Sequence, residues 1–62
     1  MIVNDKARAR VLNGADFDKN DVLEYTKKSE NFFIIADNLK NLIAIADIDI
    51  ENWHLKYFNV FK

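Results

Sequence analysis

His54 is the only histidine of this 62-residue chain, Thr26 and Ser29 are its only aliphatic hydroxyls, and cysteine is absent. Catalysis by protein side chains needs a positioned acid–base pair, a nucleophile with its base, or a metal. No partner for a triad stands around His54, and a lone histidine beside Trp53 reads as a surface or packing residue. Asp47, Asp49 and Glu51 alternate, so on a strand they share one side. Residues two apart on a strand are separated by about 6–7 Å, too wide for a tight oxygen cage around a hard cation. They read instead as a charged face or edge that keeps a strand-rich chain in solution. A single glycine, Gly14, cannot build a glycine-rich phosphate loop. The expectation is a non-catalytic protein with no cofactor and no metal.

The elements that carry these residues must fit into one domain, spanning residues 1–62, near the lower size limit for folding without disulfides or metals. No segment reaches the roughly 18 apolar residues of a membrane span. Met1-Ile2-Val3 runs straight into Asn4-Asp5-Lys6, which is no signal-peptide core. Half of the residues are hydrophobic and net charge is −1 with both signs interspersed. A cytoplasmic globular domain is expected, and the even charge balance disfavours a nucleic-acid binder, which needs a basic excess.

From Phe32 to Phe61 three apolar runs are separated by two short polar breaks, without proline or glycine. Runs rich in Ile, Val and aromatics at this spacing read as successive antiparallel strands. Five strands are expected: Lys6–Leu12, Val22–Lys27, Phe32–Asp37, Leu42–Ile50 and His54–Phe61. Asn13-Gly14 reads as a turn, Asn38–Asn41 as the connection of the central hairpin, and Glu51–Trp53 as the last break. Ala7-Arg8-Ala9-Arg10-Val11 alternates, which would put both arginines on the solvated side of a first strand. Five short strands in so few residues would curl around one core, giving an all-β, five-stranded antiparallel barrel. Two helices compete. Asp21 with Glu24 three residues later forms a capping-box pattern, so a helix at about 20–29 packed on a three-stranded antiparallel sheet is the α+β alternative. A second helix, Asn38 to Leu55, would align Leu39, Leu42, Ile43, Ala46, Ile50 and Trp53.

The stretch Phe17-Asp18-Lys19-Asn20-Asp21-Val22-Leu23-Glu24-Tyr25, followed by a polar turn and Phe32-Phe33, resembles the Src-homology-3 pattern. That family enters its second strand through lysine-lysine-glycine-aspartate and opens its third with paired tryptophans. Asn52-Trp53 is similar to the asparagine-tyrosine of the family's short helical turn before the last strand. The chain is also similar to the many small β-barrel proteins of phages and mobile elements. The resemblance implies the barrel but not the family's proline-rich ligand. Val11-Leu12-Asn13-Gly14 stands where the tyrosine-rich motif would be, the long loop is shortened, Phe32 replaces the leading tryptophan, and proline is absent.

Counting in twos across the central hairpin, with Ile35 opposite Ala44 and Asp37 opposite Leu42, puts Phe33, Ile35, Ala44 and Ala46 on one face. The expected core is these four with Val11, Phe17, Leu23, Tyr25 and Ile48 and some of Leu55, Tyr57 and Phe61. Phe32, Ile34, Ile43 and Ile45 are left outside as an apolar patch. Such a patch implies a partner or a self-association surface, unless Met1–Val3 or the last strand folds over it. Trp53 at an adjoining corner joins the set as an interface residue or plugs the core. The expected function is therefore a small protein-binding or inhibitor module, phage- or mobile-element-encoded, using Phe32, Ile34, Ile43, Ile45 and Trp53 toward a protein partner or in a homodimer. The alternative is a nucleic-acid-associated barrel using Lys6, Arg8, Arg10, Lys27 and Lys28 with an aromatic platform from Phe32 and Trp53. Convergence of those cations on the aromatic face distinguishes the two.

Overall fold

The computed structural model describes residues 1–26 and 30–61. Its first element is two residues long: β1, Ile2–Val3, is followed at once by the helix α1, Asp5–Leu12. The expected strand Lys6–Leu12 is thus a helix, and local chemistry explains why. Alanine and arginine, which make up the alternating stretch, are among the best helix formers. Asn4 is the N-cap, its side-chain oxygen accepting the Ala7 N–H at 3.0 Å. Ala7 and Val11, four apart, are the buried side of the helix.

Asn13-Gly14 is a turn, as expected, and it ends this helix instead of joining two strands. The Gly14 N–H donates to the Val11 carbonyl and the Ala15 N–H to the Arg10 carbonyl, both at 2.9 Å. With Gly14 at φ +69°, this is the Schellman closure.

A 3₁₀ turn, Lys19–Asp21, leads into β2, Val22–Glu24. Then come β3 (Phe32–Ala36), β4 (Leu42–Asp49) and β5 (His54–Val60). These three match the expected strands to within a residue at each end, so the Asn38–Leu55 helix does not form. Nor does the α+β alternative, because β2 occupies the centre of its helix; Lys27, where the expected second strand ends, and Lys28 and Ser29, which with it end that helix, lie outside the described residues.

The sheet runs β2-β1-β3-β4-β5. Its β3-β4-β5 meander is antiparallel, β1 is antiparallel to β2, and β1 lies parallel to β3 through Ile2 opposite Ala36. The parallel pair and the two separate ends, β2 and β5, correct the expected antiparallel barrel: the sheet is mixed and open. The chain's own start is the reason. Met1–Val3 inserts between β2 and β3, its terminal ammonium donating to the Ile34 carbonyl at 2.9 Å and its Met1 carbonyl accepting from Ala36 at 2.8 Å.

The core lies between α1 and one side of the sheet: Val3, Ala7, Val11, Phe17, Phe33, Ile35, Ile43, Ala44, Ala46, Ile48 and Ile50. Phe33, Ile35, Ala44 and Ala46 share this side as expected. Leu23 and Tyr25 do not belong to the core; Leu23 is 56% exposed on the edge strand β2, although the Tyr25 ring still meets Phe33 edge-on. Leu55 and Tyr57 are half-buried against the core, and Phe61 is exposed.

Ile35→Ala should therefore destabilise by about 2–5 kcal/mol and Leu23→Ala by less than about 1 kcal/mol, read as urea midpoints. Gly14→Ala should cost about 1–2 kcal/mol even though nothing lies within 4 Å of the added methyl, because the cost is the left-handed backbone alone.

Candidate functional site

Alternation along β3 sends Phe33 and Ile35 into the core, and Phe32 and Ile34 to the opposite side. No element among the described residues covers that side, because α1 and the segment through Phe17 both pack on the core side. Phe32 is 46% and Ile34 55% exposed. Cross-strand partners extend the face: Ile45 lies opposite Ile34, and Asp47 opposite Phe32. On β5, Lys56 lies opposite Asp47 and Asn59 opposite Ile45.

Two irregularities of register decide the rest of this surface. Between β4 and β5 the pairing steps from Ala46↔Tyr57 to Ile45↔Asn59, so Phe58 is an extra residue, a β-bulge. The Phe58 ring stacks on Phe32, with centroids 5.7 Å apart and planes 28° from parallel, and it is 57% exposed. The two rings come from strands separated by β4, so together they form a raised aromatic pair across it. Phe58 was not among the residues expected on this face, although alternation from Leu55 and Tyr57 on the core side leaves it outside with Lys56. The last strand thus adds to the patch rather than covering it, and Met1–Val3 lies in the sheet rather than over it.

The second bulge corrects Ile43. Pairing steps from Ile35↔Ala44 to Ala36↔Leu42, which makes Ile43 the unpaired residue and turns it into the core, 4% exposed. Ile43 is not part of the outer patch. It instead lines a cleft of about 510 Å³ between α1 and β4, with Leu12, Leu42, Phe61, Arg8 and Asp37.

Trp53 is also drawn toward the core side. Its indole N–H donates to the Phe17 carbonyl at 2.7 Å and its ring meets Phe17 edge-on at 5.5 Å. Those contacts hold it at φ 54°, a backbone region that bulky residues seldom adopt. Of the two roles weighed for Trp53, plugging the core describes it, and it does not join Phe32 and Ile34.

Of the cations in the nucleic-acid reading, Lys6, Arg8 and Arg10 lie on α1, across the sheet from Phe32. Arg8 Nε is 3.3 Å from the Asp37 carboxylate. Lys27 and Lys28 lie outside the described residues. The described cations of that reading, Lys6, Arg8 and Arg10, therefore do not converge on the exposed aromatics.

Each hairpin of the face is closed by a carboxylate. Asp37 Oδ1 accepts the backbone N–H groups of Leu39 and Asn41 at 2.9 Å. Asp49 Oδ1 accepts those of Glu51 and Asn52, and its Oδ2 accepts the Asn52 amide. Asp49 is thus spent on its turn while Asp47 faces outward, so the alternating acids do not act together. His54 opens β5 opposite Asp49 and is exposed. No helix among the described residues is long and apolar enough to cross a membrane. Comparison with protein-family models, curated proteins and solved structures returned no match.

The carboxylates make the hairpins sensitive to acid. The Asn41 N–H, with further help from the Asn41 side chain, the Leu39 N–H and Arg8, holds the Asp37 carboxyl below its ordinary range. The Asn52 amide and N–H do the same for Asp49. A carboxyl depressed on folding contributes stability above its unfolded pKa and loses it as pH falls through the folded value. Urea midpoints should fall as pH drops below about 4, and Asp37→Asn should flatten that slope.

Tyr57 gives the opposite limb. Burial, then the negative Asp16, pushes its phenol up to about 12, and the hydroxyl donates to the Ala15 carbonyl at 2.7 Å. The folded chain then holds this proton more tightly than the unfolded one, so the contribution is full below about pH 10 and lost as pH rises toward the folded value. In a Tyr25→Phe variant, tyrosinate absorbance should report this late ionisation. A midpoint near 10 in the folded protein would refute it.

Proposed function

We propose that this chain is a small non-catalytic protein-binding or inhibitor module, working in the cytoplasm, that holds a protein partner on the open face of β3, β4 and β5. The observation that carries this reading is one-sided cover: the helix buries one face of the sheet, while Phe32, Ile34 and Phe58 on the other each keep about half their surface in water. Soluble proteins seldom expose large apolar side chains side by side unless they serve an interface or a ligand. Aromatic anchors ringed by polar groups are also the composition of interface hot spots. Here the stacked Phe32–Phe58 pair supplies the anchors, Ile34 and Ile45 the apolar floor, and Asp47, Lys56 and Asn59 the polar margin. The Src-homology-3 likeness enters as kinship with small binding modules, and the likeness to phage and mobile-element proteins as a suggestion of where the partner is met.

A photo-cross-linking residue at position 58 tests the reading in the cells that make the protein. The expected outcome is a discrete adduct with one second protein, lost when Ile34→Lys is added. That substitution lies on an exposed position and should move stability by no more than about 0.5 kcal/mol. A folded chain that yields no adduct, or adducts indifferent to Ile34→Lys, would overturn the proposal.

A further inference from the structure

The open face carries two opposite charges in adjacent strands. Asp47 and Lys56 are directly opposite one another on β4 and β5, both exposed, in the row that begins with Phe32. Neither makes an ion pair within the chain among the described residues, where Arg8–Asp37 is the one found. An acid and a base left free side by side on an apolar face can both be satisfied by a copy related by a two-fold axis.

The position of that axis follows from the charges. An axis along the strands directly over β4 would set Asp47 against its own copy. An axis across the strands would lay Asp47 over the partner's apolar rows, where an unpaired carboxylate is costly. An axis along the strands between β4 and β5 does neither. It brings Asp47 to the partner subunit's Lys56 and Lys56 to the partner subunit's Asp47. The aromatic pair, raised over β4, then meets its own copy beside the axis.

The edges of the sheet do not offer an equal route. β2 is three residues long and ends in Glu24, and β5 carries Lys56 and the bulge at Phe58. Short length, charge and bulges are the devices that keep strand edges from pairing. The open face, by contrast, has no such guard at its centre.

We infer that, as a deepening of the proposed function that rests on the same face, the chain pairs with a second copy of itself through β4 and β5, Asp47 of each copy meeting Lys56 of the other. The area sets the strength. Half-exposed Phe32 and Phe58 with Ile45 and the row around them offer roughly 400–500 Å² per copy, given about 150–250 Å² for a whole aromatic side chain. The total is at or below about 1,000 Å², the size of a transient interface. The dimer is therefore weak, and it shelters the face without closing it to another partner.

A charge exchange tests this by sedimentation equilibrium. The parent should associate in a concentration-dependent way, and less so at high salt. Asp47→Lys alone and Lys56→Asp alone should each weaken association by about tenfold or more, because each sets like charges together at two places. An equimolar mixture of the two variants should associate about as well as the parent, since lysines at 47 and 56 then meet aspartates at 56 and 47. Both positions are exposed, and circular dichroism melting checks that each variant is folded. A parent that stays monomeric at millimolar concentration, variants that associate like the parent, or a mixture that fails to recover would each overturn the dimer. Those results leave the binding reading standing wherever the position-58 adduct with a second protein still forms. A recovered mixture without any such adduct upholds the dimer and removes the second protein.

Discussion

An eight-residue helix is about 12 Å long, whereas five strands side by side span about 19 Å from first to last, so one α1 cannot cover both sides of this sheet. The uncovered outer face of the sheet follows from having one short helix on the other side. The helix goes where small side chains let it approach: Ala7 and Val11 meet a sheet surface made of Ile35, Ala44, Ala46 and Ile48. The opposite surface keeps the large residues, Phe32, Ile34 and Phe58, with nothing over them among the described residues. A sheet with one solvated face normally makes that face polar, and this one does so only in part.

Two bulges then modify the open face that simple alternation lays out. One turns Ile43 inward and separates it from Ile45. The other inserts Phe58 and resets the phase of β5, so that Val60 can pair with Ala44 while Phe58 rests on Phe32. Bulges re-aim side chains at the cost of one ladder position. Here the first takes an isoleucine off the exposed side, and the second brings Asn59 to it and turns Val60 toward the core. Asp37 and Asp49 hold the two hairpins that carry these bulges, tying the register of the face to two carboxylates with several N–H donors each.

Trp53 shows how function and packing can be told apart in so small a chain. By type it is the residue most expected at an interface. Its indole N–H is bound to the Phe17 carbonyl and its ring closes on Phe17, so it seals the end of the core away from the Phe32–Phe58 pair. The aromatic residues left on the open face are phenylalanines, which have no polar atom to satisfy and can stand at the surface without a partner for one.

The apolar runs from Phe32 onward determined β3, β4 and β5 and the sharing of a face by Phe33, Ile35, Ala44 and Ala46, because strand period and β propensity act over neighbouring residues. They also placed Phe32, Ile34 and Ile45 on the outer side. What the sequence could not decide alone was the first quarter of the chain, where alternation of Ala and Arg fits a strand and the same residues favour a helix. Asn4 and Gly14 settle it, as caps at the two ends, but only a helix with a sheet beneath it has use for both. The insertion of Ile2–Val3 parallel to β3, which opens the expected barrel into a mixed sheet, is a pairing between residues more than thirty positions apart. Likewise Ile43, Asn59 and Val60 owe their sides to register shifts. A slip of one residue inverts a face, and the ladder between whole strands, rather than any local pattern, decides where that slip falls.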